Sequence, residues 1–139
     1  MSADFVSVVN VVQVAQSADT TWQRVGDFLA IGELFGMDCS YVSGSGEIGS
    51  VRRIGDSIVE PLVGLSSRSY TYSQTQGSMT GHHYHGNLAV EPDGEGCTLT
   101  YTLMYDQSGL PAERRQHEPD RLRERFGGVV EAMKQRAEA

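Results

Sequence analysis

Residues 97–105 read CTLTYTLMY, a stretch in which bulky side chains alternate with threonines. Leu99, Tyr101, Leu103 and Tyr105 have one parity, and the threonines have the other. Successive side chains of a β-strand point to opposite faces, so this alternation is typical of a strand that is buried on one side. Strands of this kind belong to antiparallel sheets whose outer face meets water. The stretch therefore predicts an antiparallel sheet with a covered inner face.

Other strand-like runs lie upstream of this stretch. Turn-rich segments such as residues 43–46, 76–78 and 92–96 divide the region 38–107 into short runs. The runs are DCSYV, SVRRI, SIVEPLV, RSYTYSQ, HYHGNLAVE and CTLTYTLMYD. They predict about six strands in meander order, joined by hairpin turns. Residues 5–15 are rich in valine, so they predict a first strand with both faces at least partly covered.

Two short helices are predicted between the first strand and the meander. Ser17 is a typical helix N-cap residue, and Asp19 lies in the first turn, where the helix dipole favours a negative charge. Apolar residues follow at helical spacing. Gly26 and Gly32 interrupt this stretch, which favours two short helices over one long helix.

The last segment, from Ala112 to Ala139, predicts one long amphipathic helix. Its apolar stripe has helical spacing and consists of Leu122, Phe126, Val129, Met133 and Ala137. Arg121, Arg123 and Arg125 lie mostly off this stripe, where we expect a solvated face. Gly127 and Gly128 each cost about 1 kcal/mol relative to alanine. Close approach to the sheet, space beside Phe126 and neutral drift all remain open as reasons for these glycines.

The composition indicates a single globular domain over residues 1–139, with 39% hydrophobic and 21% charged residues. The net charge of −7 disfavours nucleic acid and anionic membrane surfaces as partners. We recognise neither a signal peptide nor an apolar run long enough to span a membrane, and we therefore expect a cytoplasmic protein. Cys39 and Cys97 lack metal-type spacing, and both are expected to be reduced thiols.

The order of elements and several motifs resemble the START-like (helix-grip, SRPBCC) superfamily, in particular its bacterial polyketide cyclase/dehydrase-like group. The resemblance covers nearly the whole chain. Its carriers are the motifs ADTTW (18–22), EPL (60–62), RSYTY (68–72), YHGNLAVEP (84–92) and GEGCTLTY (94–101), followed by the helix with Phe126. Two positions depart from the group, which often has tryptophan at the place of Tyr101 and proline just before the sixth strand.

The resemblance implies an α+β helix-grip fold, in which a curved antiparallel sheet of about seven strands encloses the long C-terminal helix. It further implies an internal cavity between sheet and helix for a small, largely apolar molecule, aromatic or polycyclic. We expect a volume on the order of 300 Å³ or more, as is usual for ligand sites. No cofactor is expected.

Strand parity and the resemblance together give the expected lining of this cavity. The parity of the last strand turns Leu99, Tyr101, Leu103 and Tyr105 inward. The residues expected to contact the ligand are Glu60, Arg68, Tyr70, Tyr72, Tyr84, Leu88, Tyr101, Leu103, Phe126, Val130 and Met133. A buried tyrosine needs a partner for its hydroxyl, which a ligand or trapped water could supply. Filling of the core by the tyrosines is the open alternative.

Glu60 is the candidate catalytic residue. A carboxyl group in an apolar pocket has its pKa raised by desolvation, which suits a general acid or base for enolisation and dehydration. If the protein is an enzyme, the hypothesis is therefore a polyketide cyclase or dehydratase that uses Glu60 and tyrosine hydroxyls as acid–base groups. Pairing of Glu60 with Arg68 or another arginine, or exposure to solvent beside Pro61, remains the alternative.

Three function classes stay open at this point: a small-molecule binder, a cyclase or dehydratase, and a structural or interaction module with a filled core. The valine-rich first strand adds a homodimer as one option. His83 and His85 share one strand face at a spacing that suits a metal, but this face is opposite to Tyr84, so we expect no metal site.

Overall fold

The computed structural model describes residues 2–139, and its elements follow the predicted order. One strand is followed by two short helices, six strands and one long helix, which confirms the predicted helix-grip architecture. The elements are β1 (Phe5–Val14), α1 (Ala18–Val25), α2 (Ala30–Phe35), β2 (Cys39–Ser43), β3 (Val51–Ile54), β4 (Ile58–Ser66), β5 (Ser69–Ser73), β6 (His85–Asp93), β7 (Gly96–Asp106) and α3 (Ala112–Glu138).

The seven strands form one antiparallel sheet in the order β1-β7-β6-β5-β4-β3-β2. β1 pairs with β7 over its whole length, from Phe5 opposite Asp106 to Val14 opposite Cys97. The pairing of β4 with β5 shifts register between Leu62 and Gly64. Such a bulge bends a strand and increases its twist, so it contributes to the curvature of the sheet.

The inner face of the sheet follows the predicted alternation. Leu99, Tyr101, Leu103 and Tyr105 are each 0% exposed, and the threonines between them are half-buried. Leu88 on β6 lies opposite Tyr101 and is also fully buried. The stretch from which the sheet was predicted therefore provides the centre of the hydrophobic core.

Helix α3 covers this inner face, as predicted. Its buried residues are Glu118, Leu122, Phe126, Val129, Val130, Met133 and Ala137, which include the whole predicted stripe. The C-terminal end of α3 is fixed by long side chains: Arg24 donates hydrogen bonds to the carbonyls of Ala137 and Ala139, and Lys134 donates to the carbonyl of Gln13. The helix is thereby joined to both α1 and β1.

The glycines of the first helical region play two different roles. Ser17 caps α1 as predicted, since its side chain accepts a hydrogen bond from the Thr20 amide at 3.1 Å, and Gly26 ends this helix. Gly32 was wrongly expected to interrupt a helix, because it lies inside α2. A Cβ atom at this position would overlap Cys39, so β2 requires glycine there for its close approach.

The outer face of β1 is exposed rather than covered. Phe5, Val9 and Val11 are 53%, 46% and 53% exposed, and Met104 on β7 lies beside them at 43%. The first strand was expected to have both faces at least partly covered, and on this outer face about half of each apolar side chain remains exposed. The homodimer through β1 stays a prediction, and these side chains are the ones it would bury.

Candidate functional site

A cleft of about 140 Å³ lies between helices α2 and α3 and strands β3 to β5. We refer to it as the α3 cleft. Its walls combine aromatic, aliphatic and a few polar side chains, and Ser78, Arg121 and Arg125 are exposed at its mouth. The lining residues are Phe35, Arg52, Ile54, Ile58, Glu60, Tyr72, Gln74, Ser78, Met79, Tyr84, Arg121, Leu122, Arg125 and Phe126.

A buried ion pair forms the polar part of the cleft wall. Arg52 on β3 lies directly opposite Glu60 on β4, and the two residues are only 0% and 4% exposed. The Nε and Nη2 atoms of Arg52 donate hydrogen bonds to Oε1 of Glu60 at 3.0 and 2.7 Å. Buried charges are tolerated when they are paired in this way. The arginine partner left open for Glu60 is therefore Arg52 and not Arg68.

Aromatic rings and a backbone carbonyl hold the Arg52 guanidinium in place. Its central carbon lies 4.0 Å from the Phe28 ring centroid and 4.5 Å from that of Tyr72, and its Nη1 donates to the Phe28 carbonyl at 2.6 Å. Burial alone would lower the pKa of Arg52, but neighbouring groups, above all the paired Glu60 carboxylate, more than reverse this and raise the pKa. The cleft wall thus carries a permanent guanidinium charge.

Glu60 is further engaged through its second oxygen. Oε2 accepts a hydrogen bond from Nε2 of Gln74 at 3.0 Å, and Oε1 of Gln74 accepts one from the Met79 amide at 2.9 Å. Both carboxylate oxygens therefore join β3, β4 and the segment after β5. This arrangement is typical of a structural ion pair, and it favours the pairing alternative over an acid–base role.

The tyrosines behind the cleft form a short hydroxyl chain. The hydroxyl oxygens of Tyr72 and Tyr101 are 2.7 Å apart, and those of Tyr72 and Tyr84 are 3.5 Å apart. Burial raises the pKa of Tyr72, Tyr84 and Tyr101 above the ordinary tyrosine value. These phenols therefore stay protonated, and Tyr72 and Tyr84 present them next to the cleft as neutral hydrogen-bonding groups.

The predicted site residues fall into three groups. Glu60, Tyr72, Tyr84 and Phe126 line the α3 cleft. Six others are buried in the core but do not line it: Tyr70, Leu88, Tyr101, Leu103, Val130 and Met133. Arg68 lies away from the cleft, beside α1, where its Nη1 donates to Asp19 at 2.8 Å.

The cleft is smaller than the 300 Å³ expected from the sequence, because aromatic side chains fill the deeper space. The rings of Tyr101 and Phe126 are 4.8 Å apart at their centroids, and Phe35 meets Phe126 edge to face at 5.8 Å. The Tyr70 ring packs against Phe28 edge to face at 5.3 Å and against Trp22 in a tilted arrangement at 5.8 Å. The tyrosines thus point inward as their parity predicted, but most of them fill the core instead of lining a cavity.

Sequence reasoning missed several cleft residues, of which the arginines matter most. A turn of three residues, 55–57, places Arg52 opposite Glu60, so counting this hairpin would have revealed the pair. Arg121 and Arg125 are exposed, as expected for a solvated helix face, but both also border the cleft, which was not predicted. Their spacing from Leu122 and Phe126 was the available signal, because neighbouring positions flank a buried stripe.

A second hollow of about 210 Å³ lies near Phe28 and Tyr70, bounded by the segments 26–28 and 45–46. It does not adjoin α3, and the buried ion pair does not line it.

Within residues 2–139, no group of three or more His, Cys, Asp or Glu side chains is arranged to hold a metal ion. No helix in the described part of the chain combines the length and apolar character that crossing a bilayer demands.

Solved structures share this fold over most of their length. A Thermobifida fusca protein has a TM-score of 0.77 and 25% identity, with 94% of this chain and 92% of that chain covered. A Nitrosospira multiformis protein has a TM-score of 0.73 at 18% identity, with 92% and 96% covered. Norcoclaurine synthase from Thalictrum flavum, in complex with dopamine and hydroxybenzaldehyde, has a TM-score of 0.73 at 16% identity, with 96% and 87% covered.

The family is identified by comparing the sequence with models of known families. No curated protein matches the chain. A family model described as polyketide cyclase / dehydrase and lipid transport matches residues 6–138. Because this match spans nearly the whole chain, and the fold is the helix grip, the protein belongs to the polyketide cyclase / dehydrase and lipid transport family of the START-like superfamily.

Proposed function

We propose that the chain binds a small molecule whose largely apolar body, about the size of one aromatic ring, occupies the α3 cleft. The observation that carries this proposal is the cleft of about 140 Å³ with aromatic and aliphatic walls around a few fixed polar groups. Ligand sites typically combine such walls with a few polar groups that orient the ligand. An apolar cavity of about 150 Å³ in another protein holds benzene, so one ring fits this volume.

The polar groups of the cleft are held in place before any ligand arrives. The Arg52–Glu60 pair and Gln74 are joined by hydrogen bonds, and the Tyr72 hydroxyl is bonded to Tyr101. Preorganised groups cost less conformational entropy on binding than mobile ones. The cleft therefore suits a ligand with an apolar body and one or two polar substituents.

Family and fold support the binding of an apolar molecule. The family description names polyketide chemistry and lipid transport, which both involve largely apolar compounds. Norcoclaurine synthase, of the same fold, forms a complex with dopamine and hydroxybenzaldehyde, and each of these is a single-ring aromatic compound. The polycyclic ligand expected from the sequence would require the cleft to widen.

The geometry favours binding over catalysis. Glu60 is engaged at both oxygens, and burial raises the pKa values of the neighbouring tyrosines, so these phenols stay protonated at neutral pH and are weak proton donors. The alternative of a filled core fits only the space around Tyr101, where its ring packs against Phe126. Our proposal accordingly confines the ligand to the cleft.

A neutral single-ring probe tests the proposal. We expect 4-methylphenol to bind with a dissociation constant of about 0.1–1 mM, as is usual for so small a ligand. Methyl NMR signals of Ile54, Ile58 and Leu122 should shift on titration, because these side chains line the cleft.

Ile58→Phe, which adds volume inside the cleft, should weaken binding about tenfold or more. The matched control is Val63→Phe on the exposed face of the same strand, which should leave affinity unchanged. The absence of saturable shifts at the cleft methyls, or equal effects of the two variants, would contradict the proposal.

A further inference from the structure

The charge at the mouth of the α3 cleft is opposite in sign to that of the whole chain. The protein has 11 basic and 18 acidic residues, for a net charge of −7. The charged residues that line the cleft are nevertheless Arg52, Arg121, Arg125 and Glu60. Arg52 and Glu60 neutralise each other in their ion pair. Arg121 pairs with Glu118 outside the lining, so the uncompensated positive charge of the lining belongs to Arg125, with Arg121 beside it.

These two arginines lie one turn apart on the same face of α3, because their spacing is i, i+4. Among residues 2–139, Arg121 donates a hydrogen bond through Nε alone, to Oε1 of Glu118 at 2.6 Å. Within residues 2–139, Arg125 has no carboxylate within salt-bridge distance. The terminal nitrogens of both guanidinium groups are thus available to an acceptor.

An aromatic ring holds Arg125 at the cleft. The central carbon of its guanidinium lies 4.5 Å from the centroid of Phe35, and Phe35 and Arg125 both line the cleft. A stacked guanidinium keeps its N–H groups free for an acceptor in its own plane, where a carboxylate or phosphate can bind in bidentate fashion. The arginine is therefore oriented as well as charged.

We propose that the ligand of the α3 cleft is a small aryl oxyanion, with its ring in the cleft and its acidic group bound by Arg125 and Arg121 at the mouth. This inference rests on the proposed function and adds the chemical class of the ligand to it. An anion suits the site because it supplies the negatively charged partner that Arg125 lacks within residues 2–139. The ring size follows from the volume of the cleft.

A matched pair of probes separates charge from shape. 4-Methylbenzoate and 4-methylbenzamide have nearly the same size, but only the first carries a negative charge. We expect the benzoate to bind about three- to tenfold more tightly at low salt, the usual effect of a partly exposed charged contact. High salt should remove most of this preference, because it screens exposed charges. A third probe, 4-methylphenyl phosphate, identifies the preferred anion, and a preference of either anion over the amide supports the inference.

Variants of α3 assign the effect to residues. Arg125→Gln should abolish the preference for benzoate, whereas Arg125→Lys should retain part of it because the charge remains. Arg123→Gln is the matched control, since it removes the same charge from the same helix but from a side chain that pairs with Asp120 outside the cleft. Arg125→Gln leaves no carboxylate unpaired, so it should fold normally.

Three results would count against the inference. Equal affinity for both anions and the amide, or equal losses in Arg125→Gln and Arg123→Gln, would overturn the anion site while the proposed function stands, provided that the amide binds in the cleft. Binding of neither probe, nor of 4-methylphenol, would overturn the proposed function as well.

Discussion

The space between the sheet and helix α3 has two halves that differ in character. The α3 cleft, beside β3 to β5, contains the Arg52–Glu60 pair and an opening of about 140 Å³. The other half, beside β7, is closed by side chains that are at most 2% exposed, and we call it the sealed half. The sealed half consists of Leu99, Tyr101, Leu103, Val130 and Met133.

The difference between the halves shows that the side chains between the same sheet and helix decide whether the space is a filled core or an open cleft. Aliphatic and aromatic side chains of the sealed half meet one another directly and exclude space. In the cleft, the charged pair needs hydrogen-bond partners, which fixes the side chains around it in place. Phe126 lies between the two, since it lines the cleft and packs on Tyr101.

Loss of the buried ion pair should be among the two most destabilising changes. Arg52→Met leaves the Glu60 carboxylate buried without its partner, and we expect it to lower the free energy of unfolding by about 3–5 kcal/mol. The measurement is urea denaturation followed by circular dichroism. Arg53→Met, on the exposed face of the same strand, is the control and should change stability by less than about 0.5 kcal/mol. A loss below about 1 kcal/mol in Arg52→Met would show that the pair is not desolvated as the structure indicates.

Removal of the ring between the halves should join them. Phe126→Ala is expected to cost about 3–5 kcal/mol of stability, because the side chain is only 5% exposed. The variant should also bind a two-ring probe such as 2-naphthol more tightly than the wild-type protein does, since the cleft gains volume. Met133→Ala is the control: it empties part of the sealed half, so it should destabilise by about 2–5 kcal/mol without any gain in probe affinity.

A smaller effect is expected at Gly86, where the Tyr72 ring lies directly over the strand. A Cβ atom at this position would overlap that ring, so Gly86→Ala should displace Tyr72 and cost about 1–3 kcal/mol. The displaced Tyr72 hydroxyl should then lose its contacts with the hydroxyls of Tyr101 and Tyr84, and the NMR signals of the tyrosine rings should shift. Gly128→Ala adds its methyl group where nothing lies within 4 Å, and it should stabilise the protein by up to about 1 kcal/mol. Equal effects at the two glycines would contradict the contact described for Gly86.

The fold followed from the sequence because its signals are local. The alternation of residues 97–105 and the stripe from Leu122 to Ala137 depend on strand and helix periods alone, and both are confirmed. The resemblance to the START-like superfamily added the order of the elements. These signals say which face of an element is buried, but not how much space remains between two buried faces.

The site was predicted less well, because it depends on distances between elements. Tyr70 and Tyr101 have the predicted parity but pack into the core, whereas Arg52 comes into the site through its register with Glu60. The position of Arg125 beside Phe126 indicated that it flanks the buried stripe, but its contact with Phe35 on another helix depends on how α2 and α3 pack. Glu60 lies in the cleft wall, but its pairing with Arg52 depends on the register of two strands and was left open by the sequence.

The pairing of β1 with β7 has a consequence for how the chain reaches its structure. In the described part of the chain, the first strand has one sheet neighbour, β7, and five strands and two helices lie between the two in sequence. Contacts between distant residues slow folding, because the intervening loop must close before they form. A chain emerging from the ribosome would therefore hold its valine-rich first strand unpaired until β7 is made. During synthesis, this strand is the segment most in need of protection from aggregation.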